Sequence, residues 1–220
     1  MHEFLDLFLH LRAHVGDMIQ MYGTAVYAIF FAIIFIETGV VVWPWLPGDS
    51  LLFTAGAFAA MGQLNPFLMF GLLASAAVLG DTTNYWIGHM IGPKVFKWKK
   101  SRFFNPEALQ RTHNLYETYG GKFIIMARFI PIVRTYAPFF AGVGAMTYRR
   151  FIVYCVCAAM LWVGVCLSAG YLFGNIPWVA KNFEVVIMGI ILVSVLPMVI
   201  EYIRHRNKAT NSSRGRSGRR

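Results

Sequence analysis

Charge is what this sequence has least of. Asp, Glu, Lys and Arg make up 14% of its 220 residues, where a soluble domain carries about 25%. Apolar residues reach 57% and the mean hydropathy is +0.54; about 45–50% apolar is usual for a soluble domain. That imbalance excludes an ordinary soluble enzyme. The 16% aromatic content excludes a disordered chain. Cysteine is scarce as well. Cys155, Cys157 and Cys166 share one apolar stretch, with no CxxC spacing and no paired histidine. This argues against disulfides and a metal site and leaves the three as small apolar packing residues. Acid is missing altogether from residues 204–220, which hold seven Lys/Arg among Ser and Gly. The tail therefore reads as a disordered basic segment that supplies most of the net charge of +10. Nucleic acid is not the expected partner, because the bases border long apolar runs and so fit anionic membrane lipid better.

What is present is apolar length. A spanning helix takes about 20 apolar residues. Four stretches qualify: 21–36 (short), 66–91, 151–173 and 183–203. Two others, 37–61 and 121–146, are apolar but interrupted by several prolines and glycines. Proline removes a backbone donor and breaks a helix. Irregular backbone at membrane depth needs protein or a wet cavity around it. Both stretches are therefore expected to be re-entrant hairpins, turning at Pro47–Gly48 and at Pro131. The basic loop 94–102, the pair Arg149–Arg150 and the tail predict cytoplasmic faces, with both termini inside. The hairpins then enter from opposite sides, as in transporters built from inverted repeats. The fold class expected is an all-α membrane protein with about four transmembrane helices plus two oppositely oriented hairpins. Residues 1–20 read as an amphipathic helix in the interface rather than a cleavable signal, 21–203 as one transmembrane domain and 204–220 as the tail. Residues 105–119 read as a polar helix on the cytoplasmic surface.

Where charge is scarce, its position is informative. Residues 21–80 hold only Glu37 and Asp49, and 123–148 only Arg128 and Arg134. At about 2.5–3.5 kcal/mol for each ionisable group at bilayer depth, four uncompensated charges would cost roughly 10–14 kcal/mol. They must pair, protonate or line water. Asp49 also suits a helix N-cap, Glu37 the outer interface, and either arginine can snorkel to the headgroups. A purely structural ion cluster is a further reading. The functional reading rests on residue type. Guanidinium stays charged and grips phosphate in a bidentate fork, so Arg128 and Arg134 are candidates for phosphate binding. A carboxylate in a dry site readily takes up a proton, so Glu37 and Asp49 are candidates for proton coupling. Drawing a lipid phosphate towards the negative cytoplasm is uphill unless protons accompany it. Asp81, within GDTTNYWIGHMIG at 80–92, is either a network partner of these groups or a packing contact. Gly88 and Gly92 read as a close helix crossing. His89 and His113 read as interface residues.

The segments FIETGVVVWPWLPGDSLLF at 35–53, GGKFIIMARFIPIVRTYAPFFAGVGAMTYRRF at 120–151 and IRH at 203–205 resemble the DedA family of bacterial inner-membrane proteins. That family sits within the VTT-domain (SNARE-associated Golgi protein) superfamily of lipid scramblases, and the likeness is strongest to its founding DedA branch. The resemblance implies a proton-dependent transporter that supports envelope integrity. For some members it implies translocation of undecaprenyl phosphate, and for others a phospholipid or another anion. It also implies that the family's essential acids fall on Glu37 and Asp49 and its essential arginines on Arg128 and Arg134. No cofactor is expected beyond the proton gradient, and the expected partners are a lipid phosphate, protons and anionic lipids. Homo-oligomerisation is left open. The alternatives are a proton-driven exporter of a cation or drug, and a non-catalytic membrane scaffold. A lipid phosphatase is not expected, since neither hairpin contains a histidine to serve that chemistry.

Overall fold

Apolar residues dominate each long stretch, and the described parts of the chain are helical. The computed structural model describes residues 21–39, 48–95, 120–144 and 146–174, with isolated positions between 16 and 19 and between 176 and 189. Among the described residues there is no strand. The helices are α1 (Ala25–Gly39), α2 (Gly48–Ala60), α3 (Pro66–Val95), α4 (Lys122–Ala127), α5 (Pro131–Val143) and α6 (Tyr148–Phe173).

Local chemistry sets the helix ends. After α2 the chain turns through Gly62, whose φ of 76° suits a residue without a Cβ. The Gln63 N–H closes the helix on the Phe58 carbonyl. Asn65 then caps α3: its Oδ1 accepts the Phe67 and Leu68 N–H groups at 3.0 and 3.1 Å, and Pro66 takes the first helical position, where its missing donor does no harm. The Asn65 N–H donates to the Tyr27 hydroxyl at 2.8 Å, fastening α1 to the same corner.

Among the described residues two helices are long and apolar enough to cross a membrane, Pro66–Ile91 and Tyr148–Phe173, 26 residues each. At 1.5 Å per residue each spans about 39 Å, more than the ~30 Å hydrocarbon core. Large apolar side chains such as Phe67, Val153, Leu161 and Leu172 face outwards, as a lipid-facing surface requires. Inside, Phe30, Ile34, Leu52, Met69, Leu73 and Val163 form the main core. A second cluster, Tyr85, Ile124, Phe151 and Cys155, lies beneath α4. Helix α2 packs mainly on α6, and α3 on α1, α5 and α6.

Some sequence expectations shift. The first helix runs on to Gly39, so Glu37 sits in its last turn, with Thr38 and Gly39 after it in the same helix. Pro138 lies inside α5 without ending it; it only withholds a donor from the Arg134 carbonyl one turn earlier. The break expected near Pro131 is present. Ile130 is extended (φ −111°, ψ 110°), as a residue before proline prefers, and Pro131 starts α5. The close approach read at Gly88 is also present: a Cβ there would run into the Phe139 carbonyl of α5. Pro47, the segment 105–119, the tail and nearly all of 183–203 lie outside the described residues.

Candidate functional site

All four charges singled out by their isolation are drawn into one buried cluster, with two further members. Glu37 comes from the end of α1, Asp49 from the first turn of α2, Asp81 from mid-α3, Arg128 from the break between α4 and α5, Arg134 from the first turn of α5, and Trp162 from mid-α6. Each position is a helix end or a helix face turned towards the core. Neither the outer-interface reading of Glu37 nor snorkelling of the arginines holds, since Glu37 and Arg128 are buried and Arg134 is nearly so.

Arg134 works as a fork. Its Nη2 donates to Glu37 Oε1 at 2.6 Å and its Nη1 to Asp49 Oδ1 at 2.9 Å. The same Glu37 oxygen accepts the Gly48 N–H at 3.2 Å, so the carboxylate lies against the positive N-terminal end of α2. A side chain at 48 would overlap that carboxylate; Gly48 therefore does more than permit a turn. Arg128 behaves differently. Its Nη1 pairs with Asp81 Oδ2, and the Cys155 thiol donates to the same oxygen at 3.3 Å. The pairing that the sequence left open is thus uneven: one arginine takes both Glu37 and Asp49 and the other takes Asp81, because Asp81 and Arg128 converge where α3 passes the α4–α5 break.

Trp162 ties the halves together. Its ring centroid lies 4.9 Å from Arg128 Cζ and 5.2 Å from Arg134 Cζ. Its indole N–H donates to Asp49 Oδ1 at 2.7 Å. Sequence reasoning missed this residue, although a lone tryptophan within the charge-free stretch 151–173 was a usable signal: a buried indole N–H generally needs an acceptor. Cys155 was missed in the same way, being a hydrogen-bond donor as well as packing. Asn84, one turn beyond Asp81 on α3, donates to the Thr135 carbonyl at 2.8 Å and the Thr38 carbonyl at 3.5 Å, holding the backbone beside Arg134 and Glu37. Trp162→Phe keeps the ring but removes the N–H and is expected to cost about 1.5–3 kcal/mol, the range for a hydrogen bond to a charged group. Trp162→Leu also takes the aromatic face away from both guanidinium groups and should cost up to about 2 kcal/mol more for each. Thermal melts of the purified variants check the order; a Phe variant as stable as wild type would show the N–H to be immaterial.

The charges do not cancel. Three acids (Glu37, Asp49, Asp81) meet two arginines (Arg128, Arg134), leaving a formal excess of one negative charge when all are ionised. Two polar atoms within the cluster are buried without a hydrogen-bond partner: Glu37 Oε2 and Arg128 Nη2. Among the described residues no group of His, Cys, Asp and Glu is arranged to hold a metal ion.

Comparison with known proteins agrees with this architecture. The family model of the VTT domain matches residues 46–172, more than half of the chain. Over 212 residues the chain is 50% identical to Protein DedA of Escherichia coli K12, covering 96% of this chain and 97% of that protein. It is 42% identical over 188 residues to an uncharacterised membrane protein of Mycobacterium tuberculosis H37Rv (84% and 82% covered). It is 31% identical over 180 residues to the inner membrane protein YghB of Salmonella typhimurium LT2 (80% of each). No solved structure matches it significantly. With helices alone among the described residues, a buried ion cluster and likeness of this extent, the chain belongs to the DedA family of VTT-domain membrane proteins.

Proposed function

We propose that this protein is a proton-coupled transporter that moves a lipid phosphate, undecaprenyl phosphate or a phospholipid, between the leaflets of a bacterial inner membrane and so supports envelope homeostasis. The observation that carries the reading is the unpartnered Arg128 Nη2. It is a permanently charged donor, buried against a tryptophan face and without an acceptor, and phosphate oxygens are the acceptors guanidinium suits best. Glu37 and Asp49 carry the coupling protons, and the open Glu37 Oε2 is a vacant acceptor beside the site.

The helix lengths support a re-entrant arrangement. Helices α2 and α5 have 13 residues each, about 20 Å, short of the ~30 Å core. Each places its acid or arginine in its first turn. On this reading the hairpins 37–61, which carries α2, and 121–146, which carries α4 and α5, are the two halves of an inverted repeat meeting at the cluster, with both termini cytoplasmic. Transport does not require oligomerisation, because one chain supplies the whole cluster.

In vesicles carrying the purified protein and a fluorescent lipid phosphate, Arg128→Ala and Arg134→Ala are each expected to slow movement between leaflets by about 10–100-fold, the equivalent of one charge-assisted hydrogen bond. Wild-type rates in both variants would end the proposal. The excess of acid over arginine favours a second reading, export of a cation. Uptake of a phosphate-free cationic dye that persists without the arginines would select it.

A further inference from the structure

The two arginines are not equivalent. Arg134 has both terminal nitrogens on carboxylates. Arg128 has one on Asp81 and the other on nothing. A phosphate held end-on by the Nη1–Nη2 fork needs both terminal nitrogens, so end-on engagement of Arg128 requires Nη1 to leave Asp81. We propose that Asp81 occupies the substrate's place on Arg128: an internal anion that neutralises the arginine while the site is empty and is displaced by the phosphate. This deepens the transport reading above and rests on it.

Three features make the exchange feasible. First, the unpartnered Nη2 offers a phosphate oxygen a donor before Asp81 is released, so Arg128 never passes through a bare state. Second, Trp162 contacts the guanidinium through its face, with Cζ 4.9 Å from the ring centroid. A cation–π contact leaves the in-plane N–H groups free, so Arg128 keeps its position while its edge partners change. Third, Asp81 is not abandoned. The Cys155 thiol, on α6, donates to the same Oδ2 that Arg128 uses and stays with the carboxylate after the arginine turns away. The moving partner is the arginine, which caps α4 at a helix break, whereas Asp81 sits within the continuous α3. Arg134, clamped at both ends, serves the acids instead.

The test uses full-length protein in lipid nanodiscs, titrated with a polyprenyl monophosphate and separately with the polyprenol of equal length. Asp81→Asn removes the competing charge and is expected to bind the phosphate about fivefold or more tighter than wild type, one hydrogen bond's worth. Cys155→Ala leaves the displaced carboxylate without its donor and is expected to bind about threefold or more weaker on the same basis, with Cys155→Ser returning towards wild type. Opposite signs in the two variants are the signature; a merely structural role would shift both alike. Affinities that move together, or do not move, overturn the proposal. Should Asp81→Asn fail to accumulate, the cysteine pair decides alone, and an unchanged Cys155→Ala is the overturning result. If wild type binds polyprenol as tightly as the phosphate, the transport reading itself falls and this inference with it. If wild type prefers the phosphate but the variants do not diverge, only this inference falls.

Discussion

Arg134→Ala is expected, besides slowing transport, to destabilise the folded protein by about 3–5 kcal/mol, the cost of stranding one side of a buried ion pair. Here the stranded side is double. Glu37 and Asp49 both lose their cation, and the donors that stay with them, the Gly48 N–H and the Trp162 indole N–H, are neutral. Against a total stability of about 5–15 kcal/mol that loss should show as reduced membrane accumulation and a markedly lower melting temperature in detergent. Two further variants separate charge from shape. Arg134→Lys retains the charge but not the fork, so it satisfies one acid at a time and should fall between wild type and alanine. Combining Arg134→Ala with Glu37→Gln and Asp49→Asn removes all three charges and should restore much of the folded protein while leaving transport dead. A triple variant that transports would make the cluster structural and nothing more. An Arg134→Ala protein that melts like wild type would show that water, and not Arg134, balances the acids.

The cluster was half legible in the sequence, and the division has a physical cause. Scarcity identified Glu37, Asp49, Arg128 and Arg134, because a charge in a long apolar run has few ways to survive. Scarcity says nothing about partners, however. Pairing depends on which helices cross at what height, and Asp81 and Arg128 are 47 positions apart in the chain. Trp162 and Cys155 were harder still. Their polar atoms ride on side chains that count as apolar, so composition hides one N–H and one S–H inside what looks like uniform grease. The helix break before Pro131 was readable because proline constrains its predecessor locally. Pro138 shows the converse: the covalent rule gives the missing donor but not whether the surrounding helix tolerates it.

Gly170→Val is expected to destabilise the fold by about 3 kcal/mol or more, through the crossing that brings Asp49 to Trp162. A Cβ at Gly170 would collide with the Phe53 carbonyl, and one at Gly56 with the Leu167 carbonyl. The contact is thus reciprocal: each helix offers a glycine to the other's backbone, as in small-residue packing between membrane helices. Backbone cannot swing aside like a side-chain tip, so an added atom must push α2 and α6 apart. Phe53 is one turn along α2 from Asp49, and Gly170 about 12 Å along α6 from Trp162. Separation at the crossing therefore strains the 2.7 Å hydrogen bond between them as well as the core around Leu52 and Val163. Overpacking typically costs about 1–3 kcal/mol and sometimes more. The branched valine should lie at or beyond the upper end, with Gly170→Ala lower but still destabilising. Gly71 supplies the control. It lies within α3, and a Cβ there meets nothing within 4 Å, so Gly71→Ala should be neutral or stabilise by up to about 1 kcal/mol through helix propensity alone. One substitution type at two helix-interior glycines should thus move the melting temperature in opposite directions. Equal shifts at both would mean that α2 and α6 do not approach this closely.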